Sequence, residues 1–236
     1  MATSINSSPP PPGQDLLGQT VLLIGGSSGI GLEAARLARA QGADIILTAR
    51  NPDRLYRAGL ELEASIAAFD ATDFGRLGRF FDALPAPIDH LLITGPGPYN
   101  PRLAEFDLDA ARRDIDAHLL LPLQVATNVA SKVRPRGTLL FLGGACSRRA
   151  ATGVAFTAAL TAALSAVTRD LALEVAPLRI NLIVAGYGGT LAGGTRPAGR
   201  VVGPASIAAL AVRLMTDTAV TGATFDIDSG QRAVER

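Results

Sequence analysis

The sequence predicts an α/β fold in which seven parallel strands form one sheet, doubly wound by helices on both faces. Three observations carry that prediction. Short β-branched and leucine-rich runs alternate with longer alanine-rich stretches of helical period. The runs are almost continuously apolar, as strands buried on both faces of a parallel sheet are. A glycine-rich turn joins the first run to the first helical stretch.

In chain order, strands are expected at residues 20–25, 44–49, 65–69, 90–94, 138–142, 179–184 and 224–228. Helical pattern fills stretches between them, including 32–41, 107–133, 154–176 and 204–216. Within 107–133, Pro122 has no N–H for the His118 carbonyl and should distort the helix locally. Residues 186–203, rich in Gly and Pro, form the least regular interior stretch. No internal repeat or interior linker breaks the pattern, so residues 16–236 are expected to form one domain. Residues 1–15, with prolines from Pro9 to Pro12, are expected to be a disordered tail.

With 236 residues, 48% of them hydrophobic, the chain can bury one substantial core. A formal charge of +1 gives no electrostatic argument for nucleic acid or an anionic membrane. Lys132 is the only lysine, which restricts where any lysine-dependent chemistry could sit. Cys146 is the only cysteine, so no intrachain disulfide forms and a cytoplasmic location is expected. The N-terminus lacks the basic and apolar regions of a secretory signal. No uncharged apolar stretch is expected to span a bilayer.

The glycine turn reads Gly25-Gly26-Ser27-Ser28-Gly29-Ile30-Gly31. Glycines there permit a tight turn and let backbone N–H groups approach a pyrophosphate at a helix N-terminus. Lying between the first strand and first helix of an α/β chain, the motif points to a dinucleotide; a merely flexible turn is the alternative. The second strand ends in Thr48-Ala49-Arg50, without the carboxylate that would bind a ribose 2′-hydroxyl. The Arg50 guanidinium can pair a 2′-phosphate through two bonds, which favours NADP over NAD; a solvated surface arginine is the alternative.

From about residue 17 to 231 the chain resembles the short-chain dehydrogenase/reductase (SDR) family. Gly25, Gly29 and Gly31 match its TGxxxGxG pattern, with Ile24 in place of the Thr. Ile93-Thr94-Gly95-Pro96 stands where the family has NNAG, and Asn181, Gly186 and Thr190 fit a later motif in which Ala185 replaces Pro. The resemblance implies a Rossmann fold with NADP(H) held by Gly25, Ser27, Ser28, Gly29, Ile30, Gly31, Arg50, Asp70, Ala71, Thr94, Gly95, Gly186 and Thr190. Asp70 would lie beside the adenine, and Thr190 would reach the nicotinamide carboxamide.

The same resemblance exposes a loss. In the family a Tyr exchanges the substrate proton, a Lys lowers its pKa and a Ser binds the substrate oxygen. The register set by residues 137–145 and 171–181 puts Gly144, Thr157 and Thr161 at those positions, and no Tyr lies between Tyr99 and Tyr187. An aliphatic hydroxyl is too weak an acid to replace a phenol near neutral pH. Both threonines simply packing in or capping a helix is the structural alternative.

The catalytic residues are therefore unknown. His118, at the family's Asn position, and Tyr187, beside the nicotinamide loop, are the candidates. His118 could equally satisfy its own bent helix, and Tyr187 could only cover the cofactor. Tyr99, Cys146, Ser147, Arg148 and Arg149 lie near enough to reach in, but packing or solvation explains each as well, and Lys132 reads as surface. No metal site is expected. After Thr190 the chain runs almost at once into Arg196-Pro197-Ala198-Gly199-Arg200, so the family's substrate lid is expected to be shortened.

Three functions fit: an atypical NADP(H)-dependent oxidoreductase with a non-standard active site, a catalytically inactive NADP(H)-binding protein, or a redox-neutral catalyst. The substrate is an unknown small molecule. Apolar helices at 107–133 and 154–176, the latter lined by Ala158, Ala159, Ala162, Ala163 and Ser165, imply a homo-oligomer, dimer or tetramer.

Overall fold

Strand side chains alternate between two faces, and this alternation divides the apolar residues into two cores. A computed structural model describes residues 15–84, 87–129, 131–144, 153–185 and 202–227. In β1 (Thr20–Ile24), Val21 and Leu23 enter one core while Leu22 and Ile24 enter the other. β4 (Ile88–Ile93) sends Leu92 one way and Leu91 and Ile93 the other. β5 (Val133–Gly144) splits Leu140 from Leu139 and Phe141, and β6 (Arg179–Ala185) splits Ile183 from Leu182 and Val184. The first core is covered by α1 (Gly29–Ala40), α2 (Pro52–Leu62) and α7 (Pro204–Thr216). The second is covered by α3 (Phe74–Ala83), α5 (Leu121–Val129) and α6 (Ala155–Glu174).

With β2 (Asp44–Ala49), β3 (Ser65–Ala68) and β7 (Thr224–Ile227), the strands make one parallel sheet in the order β3-β2-β1-β4-β5-β6-β7. The expected seven-stranded, doubly wound Rossmann architecture is therefore present. The order reverses between β1 and β4, and ligands of such sheets bind in the crevice beyond those strand ends. α2 and α3 lie outside the stretches named above, yet each carries a readable start signal. Asn51 accepts from the Arg54 N–H at 2.8 Å, and Asp73 accepts from the Arg76 N–H at 3.0 Å.

One expectation needs correction. Residues 107–133 are not one helix. α4 (Leu108–Ile115) runs into a π-helical turn, Asp116–Leu120, then α5 stops at Val129. The turn widens just ahead of Pro122, and the Leu121 N–H reaches the Asp116 carbonyl five residues back. Val133 belongs to β5 because it pairs with Ile88 across the sheet. By length and composition α6 could cross a bilayer, with a mean hydropathy of 1.2 and 22% of that stretch buried, but it carries Arg169, Asp170 and Glu174 and so is not an uncharged apolar stretch. Its buried face, Thr157, Leu160, Leu164, Thr168 and Ala172, marks it as a covering helix of the sheet.

The sheet end opposite the crevice is polar. His90, Thr138 and Arg179 sit side by side on β4, β5 and β6. Arg179, only 6% exposed, donates to the Leu214, Met215 and Asp217 carbonyls and so caps the C-terminus of α7. His90 Nε2 lies 2.7 Å from Gln19 Oε1, while Gln19 Nε2 donates to the Asp15 carbonyl. That arrangement puts the ring proton on Nε2 and leaves the buried Nδ1 without a partner. Burial, aided by the Arg179 charge, holds the ring at a pKa of about 4. An unfolded imidazole takes its proton near ~6.5, so between these values the unfolded state binds more protons and stability rises with pH. Acidification across that window should cost roughly 3 kcal/mol. Urea unfolding at pH 7 and pH 4.5 should show the loss, and His90→Gln should flatten it.

Candidate active site

Three stretches of backbone converge where β1 ends. Gly25 has φ +89°, and a β-carbon there would fall on the Thr94 hydroxyl and carbonyl. A β-carbon on Gly31 would fall on the Gly25 carbonyl. Thr94 closes the junction: its N–H donates to Ile24 O at 2.8 Å, and its hydroxyl lies 3.2 Å from Ile24 O and 3.1 Å from Gly25 O. Gly25 and Gly26 in turn donate to the Thr48 carbonyl on β2. The ends of β1, β2 and β4 are thus tied to the start of α1.

The N-terminus of α1 is open. Helices α2, α3 and α4 begin on side-chain caps, from Asn51, Asp73 and Asp107. Ser28 makes no such bond, and the first turn of α1 has no acidic residue. α6 and α7 also lack side-chain caps, but neither begins in the β1–β4 crevice. Gly29, at φ +56°, has nothing among the described residues within 4 Å of the position a β-carbon would take. Free N–H groups, a helix dipole and empty space fit an anionic pyrophosphate. Ser27 is half-buried and Ile30 buried beneath it. Arg50 is exposed just past β2. Asp70 is exposed past β3 and accepts from the Thr72 N–H and hydroxyl, beside half-buried Ala71. The structure therefore brings Gly25, Ser27, Ser28, Gly29, Ile30, Gly31, Arg50, Asp70, Ala71, Thr94 and Gly95 to one edge of the sheet. Gly186, Tyr187, Thr190, Cys146, Ser147, Arg148, Arg149 and the shortened lid lie outside the described residues. Two clefts of about 230 and 290 Å³ lie elsewhere and contain none of these groups.

The other half of the crevice is filled by protein. Pro98 packs against Gly144, where a β-carbon would meet the proline ring at 3.1 Å and Thr157 Cγ2 at 3.4 Å. Thr157, 4% exposed, has its single O–H between two acceptors, the Tyr99 carbonyl at 3.1 Å and Asn100 Oδ1. The Thr161 hydroxyl donates to the Gly144 carbonyl at 2.8 Å. Both hydroxyls are thus bonded to other parts of the chain, one to the segment after β4 and one to the end of β5. The Tyr99 hydroxyl accepts from the Asp107 N–H at 2.6 Å, and its ring packs with Phe106 and Phe156. Lys132 sits in the turn before β5, its Nζ on the Asp82 carbonyl.

His118 lies in the π-helical turn with acceptors at both nitrogens. Nδ1 is 3.1 Å from the Asp114 carbonyl and 3.0 Å from Asp114 Oδ1, while Nε2 is 3.1 Å from the Pro96 carbonyl. Burial alone would favour the neutral ring, but the Asp114 carboxylate and the two carbonyls outweigh it and raise the pKa above its ordinary value. The doubly protonated ring satisfies every acceptor around it. Asp114 is the residue that sequence reasoning passed over, although its spacing of four from His118 on a helix was a usable signal. Pro98 and Asn100 carried no such signal, because their partners are distant in the chain.

A family model described as enoyl-(acyl carrier protein) reductase matches residues 25–232. The chain belongs to the short-chain dehydrogenase/reductase family. Among SDR relatives, the short-chain dehydrogenase/reductase ATR9 of Stachybotrys chlorohalonatus is 29% identical, over 90% of this chain and 96% of that protein. The solved structure of BdcA in complex with NADPH superposes with a TM-score of 0.82 at 24% identity, covering 91% of this chain and 95% of that one. The MalC reductase/Diels–Alderase of Malbranchea aurantiaca gives a TM-score of 0.82 at 23% identity, covering 93% and 98%.

Two outcomes follow. Because the folded His118 pKa is raised, its stabilisation is complete below the unfolded value near ~6.5 and disappears as pH climbs through the folded value. Thermal midpoints from pH 6 to 9 should fall more steeply for the native protein than for His118→Asn. At the glycine turn, Gly31→Ala should lower both stability and affinity for any dinucleotide the turn holds. Gly29→Ala should cost only about 1 kcal/mol of stability, from its backbone strain, yet weaken binding of such a dinucleotide strongly. Urea melts and fluorescence titrations of the two variants separate these effects.

Proposed function

We propose that this SDR protein binds NADP(H) and does not use the family's Ser/Tyr/Lys proton relay. The carrying observation is that Thr157 and Thr161 spend their hydroxyls on backbone carbonyls while the helix N-terminus of the cofactor cradle stays open. Arg50, exposed past β2 with no carboxylate on that strand end, supports the phosphorylated cofactor. The presence of NADPH in the BdcA complex supports the same choice. A bound reduced nicotinamide would supply a hydride. Without a phenol at residue 157, the fitting acceptor is one that needs no proton, such as a preformed iminium, which becomes a neutral amine on receiving hydride. His118, already bonded to Asp114 and Pro96, is not free to assist in this arrangement.

A second interpretation, an NADP(H) binder without turnover, is favoured by Pro98 lying against Gly144 in the substrate corner. Association of copies is part of the proposal. Ala159, Ala162 and Leu173 are exposed on α6, and they support a homo-oligomer through that face. The lone Cys146 supports a cytoplasmic setting.

Fluorescence titration should give micromolar or tighter NADPH binding. Arg50→Ala should weaken it about tenfold and leave NADH binding unchanged. NADPH oxidation should be absent with ketones and aldehydes and detectable with a cyclic iminium. Failure to bind either nucleotide would remove the cofactor assignment, and turnover of simple ketones would remove the assignment of a missing relay. No turnover with any acceptor selects the second interpretation.

A further inference from the structure

Residues 96–100 leave β4 and cross the mouth of the crevice, where they meet groups from four other elements. On one side the Pro96 carbonyl faces His118 Nε2 at 3.1 Å, and the Tyr99 N–H donates to Asp114 Oδ2 at 3.3 Å. On the other side the one O–H of Thr157 on α6 faces the Tyr99 carbonyl and Asn100 Oδ1. Between these anchors Pro98 rests on Gly144 at the end of β5. Asp114, 7% exposed, divides its carboxylate between two tasks: Oδ1 holds His118, and Oδ2 holds the backbone of the crossing segment.

We propose that segment 96–100 is an intramolecular plug of the substrate corner, latched by Thr157 from one side and by the Asp114–His118 pair from the other. Asp114 is the positioning residue of this latch. The chemistry of its two oxygens explains the role. A carboxylate offers acceptors at both ends, and both neighbours here are N–H donors. An amide in its place would turn an N–H₂ group toward one of those donors, so one half of the latch would open. Thr157 acts through a single hydroxyl, which an isosteric valine removes without leaving a hole. The plug covers only the corner beside Gly144 and Thr157. The glycine turn and the α1 N-terminus stay outside it, so nucleotide binding and plug closure are separate events. The proposal deepens the cofactor assignment above: a substrate reaching the nicotinamide has to displace Pro98 and Tyr99 or approach from the side of the crevice they leave open.

The test uses two latch variants, Asp114→Asn and Thr157→Val, with two local readouts. The first is amide exchange of residues 96–100, with β1 and β6 peptides as a measure of global stability. The second is maleimide labelling of a Tyr99→Cys thiol in a Cys146→Ser background, which reports release of the segment while the backbone N–H and carbonyl of residue 99 can still make the latch bonds. At least one latch variant should speed both readouts about tenfold while β1 and β6 exchange stays unchanged. Unchanged labelling in both variants would overturn the plug, as would acceleration that extends equally to β1 and β6. NADPH titration of the same variants should give an unaltered affinity. Absence of NADPH binding throughout would remove the cofactor assignment, while exchange and labelling would still decide the latch.

Discussion

The site depends on one steric constraint: β1, α1 and β4 meet at Gly25, Gly31 and Thr94 with no room for a β-carbon at either glycine. That contact aims the open N-terminus of α1 into the crevice where the strand order reverses. It also fixes the end of β4, because the Thr94 hydroxyl and N–H are bonded to the backbone of the β1 end. The segment after Thr94 therefore leaves from a set position. Gly95 passes close beneath His118, where a β-carbon would lie 3.2 Å from Nε2. A cofactor cradle and the path of the crossing segment share one origin.

The occupied corner follows from small side chains. At residues 144 and 157 the chain places a glycine and a short threonine, and Pro98 uses the space against both. A serine at 144 would press on the proline ring, and a tyrosine at 157 would compete with the Tyr99–Asn100 backbone for the same volume. The small side chains there and the path of the segment are thus one packing arrangement. The Thr157 hydroxyl is consumed by that segment, and His118 by Asp114 and Pro96. Both side chains hold backbone in place.

Ionisable groups at the two ends of the sheet act in opposite directions. His90 is buried beside Arg179 and resists protonation; His118 is buried beside Asp114 and retains its proton. The first weakens the fold in acid and the second weakens it in base. Arg179 joins three elements at the lower end, since its guanidinium reaches β5 through Thr138 and α7 through the Leu214 and Met215 carbonyls. Removing it would leave several buried carbonyls without donors, each costing about 1–3 kcal/mol.

Much of this was legible beforehand, for identifiable reasons. Apolar runs marked the seven strands, the glycine turn marked the cradle, and Pro122 marked a helix distortion that appears as the π-helical turn. Asp114 was within reach as the helical neighbour of His118. The end of the long helix at Val129 was not legible, because Val133 joins β5 through pairing with Ile88, a contact between distant stretches. Nor was the contact of Pro98 with Gly144 or of Thr157 with Asn100. Local periodicity and glycine placement determined the fold and the glycine turn at the start of α1, because strands, turns and helix starts depend on neighbours in the chain. Only the tertiary structure decided what fills the corner beside Gly144, because that depends on which side chains from the segment after β4, from β5 and from α6 compete for one small volume.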